Sequence, residues 1–483
     1  MRRASQLPGQ LLGAASAQKT IDRSGPLLDG PIASTLLKLA APTLVVVMMQ
    51  AAINVIETYF VGRLGTDALA GVSLVFPLVM LMTTMAAGGM GGAVASAVAR
   101  ALGGGRRDEA EAILVHALII ALTLGVVFSI AAVVGGPALY RAMGGTGGAF
   151  NAAVRYSDII FAGAAAFWVL NVLAAVLRGT GNMVFPALVS VAGGVVLIPL
   201  SPALIVGWGP FPRLGVAGGA TALVAYYVAG TAALLVHILL GRNILRLHLR
   251  GIRLRAQTFG QILGVGAISS LMTVQSNLMV IVTTGLVGLF GTAALAGYGL
   301  ATRLDYLLIP PVFALGTGAV TMVGTNIGAG RHDRALRTAW TGAVIAAALC
   351  EAVGLGAAAA PGAWLHIFGS DPAMLDSGTR YLQIVGPVYG LFGLGLSLYF
   401  ASQGAGRLLW PLLANLTRLA VAATGGWLAL HTGGDLGGIF AALAIALALF
   451  GIINAAAISL GAWSTRASSA SFIGPRISQE GCR

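Results

Sequence analysis

Apolar runs that are long enough to cross a lipid bilayer follow one another almost without pause from Pro31 to Trp463. A membrane helix needs about 20 consecutive apolar residues, and we count about twelve such runs. Only 9% of the residues are charged, whereas an ordinary soluble domain has about 25%. With 57% hydrophobic residues in addition, the sequence predicts an all-α membrane protein with about twelve transmembrane helices.

Basic residues in the connections between runs predict the orientation. Groups of arginines follow the second, sixth and eighth runs, and these connections lie on one side of the membrane if successive runs alternate in direction. Because cytoplasmic connections carry an excess of Lys and Arg, we expect this side and both termini to be cytoplasmic. The net charge of +13 reflects this bias, so nucleic acid is not an expected partner.

An internal repeat divides the chain into two halves. Residues 65–71, GTDALAG, return as residues 291–297, GTAALAG, and two further pairs of turns keep nearly the same offset: residues 105–110 with 330–335, and residues 178–181 with 403–406. Each half then holds six crossings, which predicts two six-helix bundles related by an internal parallel repeat. The predicted segments are an N-terminal tail (1–33), a first bundle (34–240), a basic cytoplasmic linker (241–258), a second bundle (259–463) and a C-terminal tail (464–483).

One carboxylate, Glu57, lies in the middle of the first apolar run. A charged group at the centre of a membrane helix costs about 2.5 to 3.5 kcal/mol on insertion scales, so such groups usually face a cavity and carry ion or substrate traffic. We interpret Glu57 as an ion-coupling acid. The alternative is a buried acid that is tied by hydrogen bonds to a neighbouring helix. Asn54, three residues earlier, shares a helix face with Glu57 and is its expected partner.

Four segments carry a family resemblance: Asn54 to Thr58, Val61 to Gly65, Arg178 to Gly181 and Val323 to Gly330. Through these segments the chain resembles the multidrug and toxic compound extrusion (MATE) transporters and is closer to their DinF-like prokaryotic branch. The resemblance covers nearly everything from Ala40 to Trp463. It implies two six-helix bundles that open alternately to the two sides of the membrane and export organic, often cationic, compounds in exchange for protons or sodium. In many relatives an aspartate occupies the position of Glu57, and an asparagine matches Asn54.

The sequence departs from one branch of that family, in which the fifth helix adds an asparagine and an aspartate to the ion site. Our register puts Leu197 and Ser201 at these two positions, and Leu223 near the position of a sixth-helix threonine. A hard cation such as sodium needs several oxygen ligands, by analogy with other hard cations, whereas a proton needs one titrating group. We therefore favour a proton over sodium as the coupling ion. We expect no cofactor and no metal site.

Several further residues are predicted to contribute to the substrate cavity. Asp305 lies inside the eighth run, where relatives often have an acid, and it either faces the cavity or pairs with Arg303. Polar and flexible side chains in the seventh and second runs complete this set, with packing between helices as the alternative for each: they are Gln275, Asn277, Met82 and Met85. Glu351 and Arg418 also lie in apolar runs; we interpret Glu351 as structural or interfacial, and Arg418 as a structural tie.

These observations favour a secondary active antiporter for small organic compounds, monomeric and located in the plasma membrane of a prokaryote. The first alternative is a flippase or exporter of lipid-linked or polysaccharide material, whose relatives typically line the cavity with several basic residues. A membrane-embedded transferase is a weaker alternative, because it needs a cluster of acids, histidines or nucleophiles near one interface. His116, His237 and His366 lie in different runs. We expect the protein not to be an enzyme.

Overall fold

Long helices make up almost all of the described chain. The computed structural model describes residues 25–241, 243–246, 254–432 and 435–463. With no water to satisfy backbone groups in a bilayer, an apolar segment satisfies its own N–H and C=O groups by forming a helix. The helices are α1 (Ile32–Gly62), α2 (Thr66–Gly103), α3 (Arg107–Ala142), α4 (Gly147–Ala162 and Ala164–Gly179), α5 (Val184–Gly207), α6 (Val216–Leu239), α7 (Ala256–Gly288), α8 (Thr292–Gly328), α9 (His332–Ala359), α10 (Pro372–Ala405), α11 (Leu409–His431) and α12 (Leu436–Ser459).

Most of these helices have the length and composition of membrane spans. Within the described residues ten of them qualify, and the two segments of α4, bent by 47°, make an eleventh if they form one span. The remaining helix, α11, has 23 residues and lies outside this group; it contains Asn415 and Arg418. The structure therefore confirms an all-α membrane protein with two sets of six helices. The predicted tail residues 1–24 and 464–483 lie outside the described residues, as do linker residues 242 and 247–253.

Glycines explain why the repeated turns keep their sequence. Each of the three turn pairs places one glycine at a positive φ, which is unfavourable for residues with a side chain. The φ values are +116° and +100° at Gly65 and Gly291, +72° and +74° at Gly105 and Gly330, and +84° and +72° at Gly181 and Gly406. The two halves therefore share their turn conformations as well as their helix order.

The last glycine of the repeated heptapeptide allows two helices to approach closely. A Cβ added to Gly71 in α2 would lie 2.6 Å from the Cβ of Ala152 in α4. A Cβ added to Gly297 in α8 would overlap the carbonyl oxygen of Met374 in α10. Because small residues let membrane helices pack at short distance, this glycine fixes the second helix of each half against the fourth helix of the same half.

The two halves meet at a symmetric contact, which we call the seam, between Ser96–Gly103 of α2 and Thr321–Gly328 of α8. At one place Gly103 lies against the backbone of Thr325 and Gly328 lies against the backbone of Arg100, with no room for a Cβ on either glycine. Since Thr325 follows Arg100 and Gly328 follows Gly103 by 225 residues, the two contacts are repeats of each other. The seam therefore surrounds the pseudo-twofold axis that relates the halves.

Hydrogen bonds across the seam obey the same symmetry. Ser96 Oγ donates to the carbonyl oxygens of Gln403 (2.6 Å) and Gly404 (2.9 Å). Thr321 Oγ1, the repeat counterpart of Ser96, donates to the carbonyl oxygen of Arg178 (3.0 Å), the counterpart of Gln403. Each half thus binds the end of the other half's fourth helix, and the seam holds the halves together at the end where α2 and α8 finish.

Candidate functional site

Glu57 is buried near the end of α1 that lies away from the seam. Five residues separate it from the helix end at Gly62, about 7.5 Å along the axis, so it lies in the last turns and not at the centre of the helix. Its side chain is 8% exposed. The hydroxyl of Tyr156 in α4, itself buried, donates a hydrogen bond of 3.0 Å to Glu57 Oε1. The carboxylate is therefore held by a neutral donor from another helix of the same half.

A small cavity of about 10 Å³ adjoins the Glu57 carboxylate. This volume holds about one water molecule. Ser201 Oγ has no hydrogen-bond partner among the described residues. Apart from Glu57 and Ser201 the lining is aliphatic, and it comes from α1, α5 and α6: Ile53, Ile56, Leu197, Ile198 and Leu223. The predicted register is therefore correct in space, because Leu197, Ser201 and Leu223 all lie beside Glu57.

No cation compensates Glu57 in the described structure. No Lys, Arg or His nitrogen of the described residues lies within 4.0 Å of its oxygens. Gly219 of α6 leaves room for the carboxylate, since a Cβ there would lie 2.9 Å from Glu57 Oε1. A charged carboxylate in apolar surroundings without a cation is costly, which makes Glu57 a candidate functional group.

Asp305 forms the corresponding site in the second half. Its Oδ2 accepts a hydrogen bond of 2.6 Å from the hydroxyl of Tyr381, and its Oδ1 accepts a second, short hydrogen bond from the hydroxyl of Tyr389. Tyr381 follows Tyr156 by 225 residues, as Gln403 follows Arg178. In each half, the repeat-related tyrosine of the fourth helix thus donates a hydrogen bond to an acid. The acid lies on the first helix in one half and on the second helix in the other.

A much larger cavity, about 420 Å³, lies next to Asp305 inside the second half. Pockets for drug-sized ligands have volumes of about 300 to 1,000 Å³. Aromatic and aliphatic side chains from four helices, α7, α8, α10 and α12, form most of its wall. Its polar lining includes Asp305, Thr283, Thr302, Tyr298, Tyr381, Tyr389 and, from α11, Arg418. The two halves therefore differ: the first has a tight acid site and the second has an open one.

The MatE family model matches residues 42–203 and, again, residues 267–428. The chain belongs to the MatE family. The two matches cover the two halves of the repeat, and the MatE transporters are the family that the sequence resembles. Relatives with multidrug-resistance names come from several bacteria, which agrees with a prokaryotic multi-pass membrane protein.

Individual relatives align with most of this chain. It is 27% identical over 405 residues to a Shewanella oneidensis protein named FAD transporter, covering 83% of this chain and 88% of that one. It is 29% identical over 442 residues to a probable multidrug resistance protein NorM from Deinococcus radiodurans, covering 86% and 93%. A crystal structure of MATE in the bent conformation matches with a TM-score of 0.83 at 24% identity, covering 92% and 98%, and supports the MatE fold.

Asn54, the expected partner of Glu57, does not form a hydrogen bond with it in the described structure. Asn54 is exposed, and among the described residues its side chain makes no hydrogen bond to Glu57; its carbonyl oxygen accepts a hydrogen bond from Thr58 Oγ1. Three residues advance about 300° around a helix, so the two side chains point about 60° apart. Glu57 turns toward α4, and Asn54 does not. The roles proposed for both residues remain predictions.

The four predicted cavity residues of α7 and α2 have different surroundings. Gln275 is buried, and in the described part of the chain neither of its side-chain polar atoms has a hydrogen-bond partner. Asn277 is exposed and donates to the carbonyl oxygen of Thr273 (2.9 Å). Met82 is fully buried in the core of the first half, and Met85 packs against the same core. None of the four lines the cavity beside Asp305.

Other charged residues of the apolar runs have distinct surroundings. Glu351 Oε2 accepts a hydrogen bond of 2.7 Å from the backbone N–H of Gly390, in agreement with a structural role. Arg303 lies 5.5 Å from the ring centroid of Phe368 and, in the described part of the chain, forms no ion pair with Asp305. Sequence reasoning did not identify Tyr156 and Tyr381, although their common offset of 225 residues was a signal that could have found them.

Proposed function

We propose that the protein is a secondary active antiporter that exports small organic compounds in exchange for protons by alternating access. The observation that carries this proposal is the surroundings of Glu57: a buried carboxylate, one tyrosine donor, and no cation within ion-pair distance among the described residues. Membership of a family of multidrug efflux transporters supports the transport activity. The antiport mode and the proton as coupling ion are our own proposals.

A proton suits this site better than sodium. The cavity beside Glu57 offers one carboxylate and the hydroxyl of Ser201, and the rest of its wall is aliphatic. Hard cations bind where several oxygens converge, and other such cations take six or more. A proton requires only that one group can bind and release it, which Glu57 can do.

Coupling requires that Glu57 binds a proton with different affinity in the two access states. A ligand shifts a conformational equilibrium only through its differential affinity for the two conformations. A difference of about two pKa units between the states supplies about 2.7 kcal/mol, which changes the population ratio roughly a hundredfold. Such a change is large enough to drive the halves from one arrangement to the other.

The arginine distribution supports an orientation with both termini and the linker in the cytoplasm. The connections before α3 and α9, which carry Arg106 and Arg331, adjoin the seam. In this orientation the seam closes the cytoplasmic side, and Glu57 lies toward the opposite side. We also place the protein in the inner membrane, as its bacterial relatives suggest.

Substrate efflux from loaded vesicles, with either a proton or a sodium gradient imposed, tests the proposal. We expect the proton gradient to drive efflux. Glu57→Gln cannot ionise and should abolish gradient-driven efflux while substrate binding stays measurable, and Glu57→Asp should retain coupling. Glu351→Gln is the matched control, because it removes a charge from a membrane helix but keeps an acceptor for Gly390. Accumulation against the gradient by well-folded Glu57→Gln would show that the coupling group lies elsewhere.

Organic anions are a second class of cargo to be tested. One relative is named FAD transporter, and that compound carries two phosphates on an aromatic body. The cavity of the second half contains an arginine, Arg418, together with several aromatic rings. These two observations favour anions in addition to the cations that the family resemblance implies.

A further inference from the structure

Arg418 of α11 projects into the second half, where aromatic rings hold its guanidinium. The guanidinium carbon lies 5.4 Å from the ring centroid of Phe392 and 5.6 Å from that of Phe450. These distances are within the range of cation–π attraction, which fixes the position of the charge without using its N–H groups. Arg418 and Phe392 both line the cavity of about 420 Å³.

The hydrogen-bond donors of Arg418 are free in the part of the chain that the structure describes. Its Nε is buried without a partner, and no described acceptor binds its other nitrogens. No carboxylate of the described residues lies within 4.0 Å of it, Asp305 included. A guanidinium carries five donors in a planar fork, and a buried charge without partners is costly. The structural tie that the sequence suggested for Arg418 stays a prediction, and in the described residues its contacts are aromatic rings and not hydrogen-bond acceptors.

Asp305 does not supply that acceptor in the described structure, because its oxygens lie beyond 4.0 Å from the Arg418 nitrogens and are directed at two tyrosines. Each of its two oxygens already accepts a hydrogen bond from a tyrosine hydroxyl, Tyr381 on one side and Tyr389 on the other. These contacts tie α8 to α10 and direct the carboxylate at the tyrosines. Of the two charged side chains that line this cavity, Arg418 is the one whose N–H groups have no acceptor among the described residues.

We propose that this cavity binds an organic anion, a flat aromatic body that carries a phosphate or a carboxylate. The anion accepts two parallel hydrogen bonds from Arg418, a geometry that suits carboxylate and phosphate. The aromatic body packs among Tyr298, Tyr389 and Phe392, which line the same space. The inference rests on the proposed function, since it names a cargo class and a binding site for the same transporter.

Flavin mononucleotide and riboflavin form a matched pair of probes, because they share one ring system and differ by a phosphate. Binding to the purified full-length protein is measured by quenching of flavin fluorescence. We expect flavin mononucleotide to bind at least tenfold more tightly than riboflavin. Arg418→Gln should remove this difference without changing riboflavin affinity, and Arg418→Lys should retain part of it because it keeps the charge but loses the fork.

Two controls sharpen the test. Arg407→Gln removes an exposed arginine just beyond the end of α10 and should leave both affinities unchanged. Inorganic phosphate at the same concentration should not displace flavin mononucleotide; displacement would contradict the aromatic part of the proposal.

Equal affinities for the two flavins, or an equal loss of both in Arg418→Gln, would overturn the inference. If Arg418→Gln does not yield folded protein, Arg418→Lys decides: an unchanged preference for the phosphate form would also overturn it. The binding assay needs no ion gradient. Failure of gradient-driven efflux would therefore contradict the proposed antiport and leave the binding result standing, whereas equal flavin affinities would leave coupling at Glu57 standing.

Discussion

Adding one methyl group at the seam should open that end of the protein. In Gly328→Ala the new Cβ would lie closer than 3.0 Å to the backbone carbonyl oxygen of Arg100, and in Gly103→Ala it would lie equally close to that of Thr325. A backbone oxygen cannot rotate away as a side chain can, so α2 and α8 must separate. Overpacking of this kind costs about 1 to 3 kcal/mol.

This cost applies only to the conformation in which the seam is closed. The equilibrium between closed and open states should therefore shift toward the open state by roughly five- to 150-fold. Gly103 and Gly328 are repeat counterparts with equivalent contacts, so the two single variants should shift the equilibrium by similar amounts. We expect equal shifts in the two variants because the two glycines make symmetric contacts at the seam.

Spin labels at Arg106 and His332, exposed residues at the starts of α3 and α9, report the opening as a longer label-to-label distance. Pulsed electron paramagnetic resonance measures the populations, in a background in which Cys350 and Cys482 are replaced. Gly264→Ala is the matched control, since a Cβ at this glycine of α7 meets nothing within 4 Å. A wild-type distance distribution in Gly328→Ala, or the same shift in Gly264→Ala, would show that close packing at the seam glycines does not hold this end closed.

Three further predictions test other parts of the structure. Tyr156→Phe removes the hydrogen bond to Glu57 and should change the pH dependence of efflux, whereas Tyr381→Phe, its repeat counterpart, should not; equal effects would argue against a special role of the first half. Gly297→Ala should lower the free energy of unfolding by about 1 to 3 kcal/mol because its Cβ overlaps α10, measured by thermal unfolding against Gly288→Ala, which meets no atom within 4 Å. A cysteine placed in the 241 to 258 linker should not react with an impermeant thiol reagent that is added outside intact cells. Labelling of this cysteine would show that the linker lies outside the cell, contrary to the predicted orientation.

Much of the fold could be predicted because it depends on local properties of the chain. The length of an apolar run determines whether it spans a membrane, and the glycines of the repeated turns are required by the backbone itself, as at Gly105 and Gly330. The bend of α4 at Gly163 was not predicted, since a glycine inside an apolar run does not reveal whether the helix breaks there.

The candidate site could be predicted only in part, because it depends on contacts between helices. Glu57 stands out in its run, and the register found Leu197, Ser201 and Leu223. Tyr156 lies 99 residues from Glu57 along the chain, so its hydrogen bond requires the packing of α4 against the end of α1. The surroundings of Arg418 likewise involve rings from α10 and α12, and the sequence of α11 carries no signal for them.

The repeat has preserved a tyrosine and changed what lies around it. In both halves the fourth helix supplies a hydroxyl to an intramembrane acid. In the first half the acid lies beside a cavity of about 10 Å³, too small for an organic compound, and in the second it borders one of about 420 Å³ that also contains Arg418. If the first site takes the proton and the second takes the cargo, the two ligands have no common contact. Their coupling must then pass through the relative position of the halves, and the seam is the symmetric contact at which that position is held.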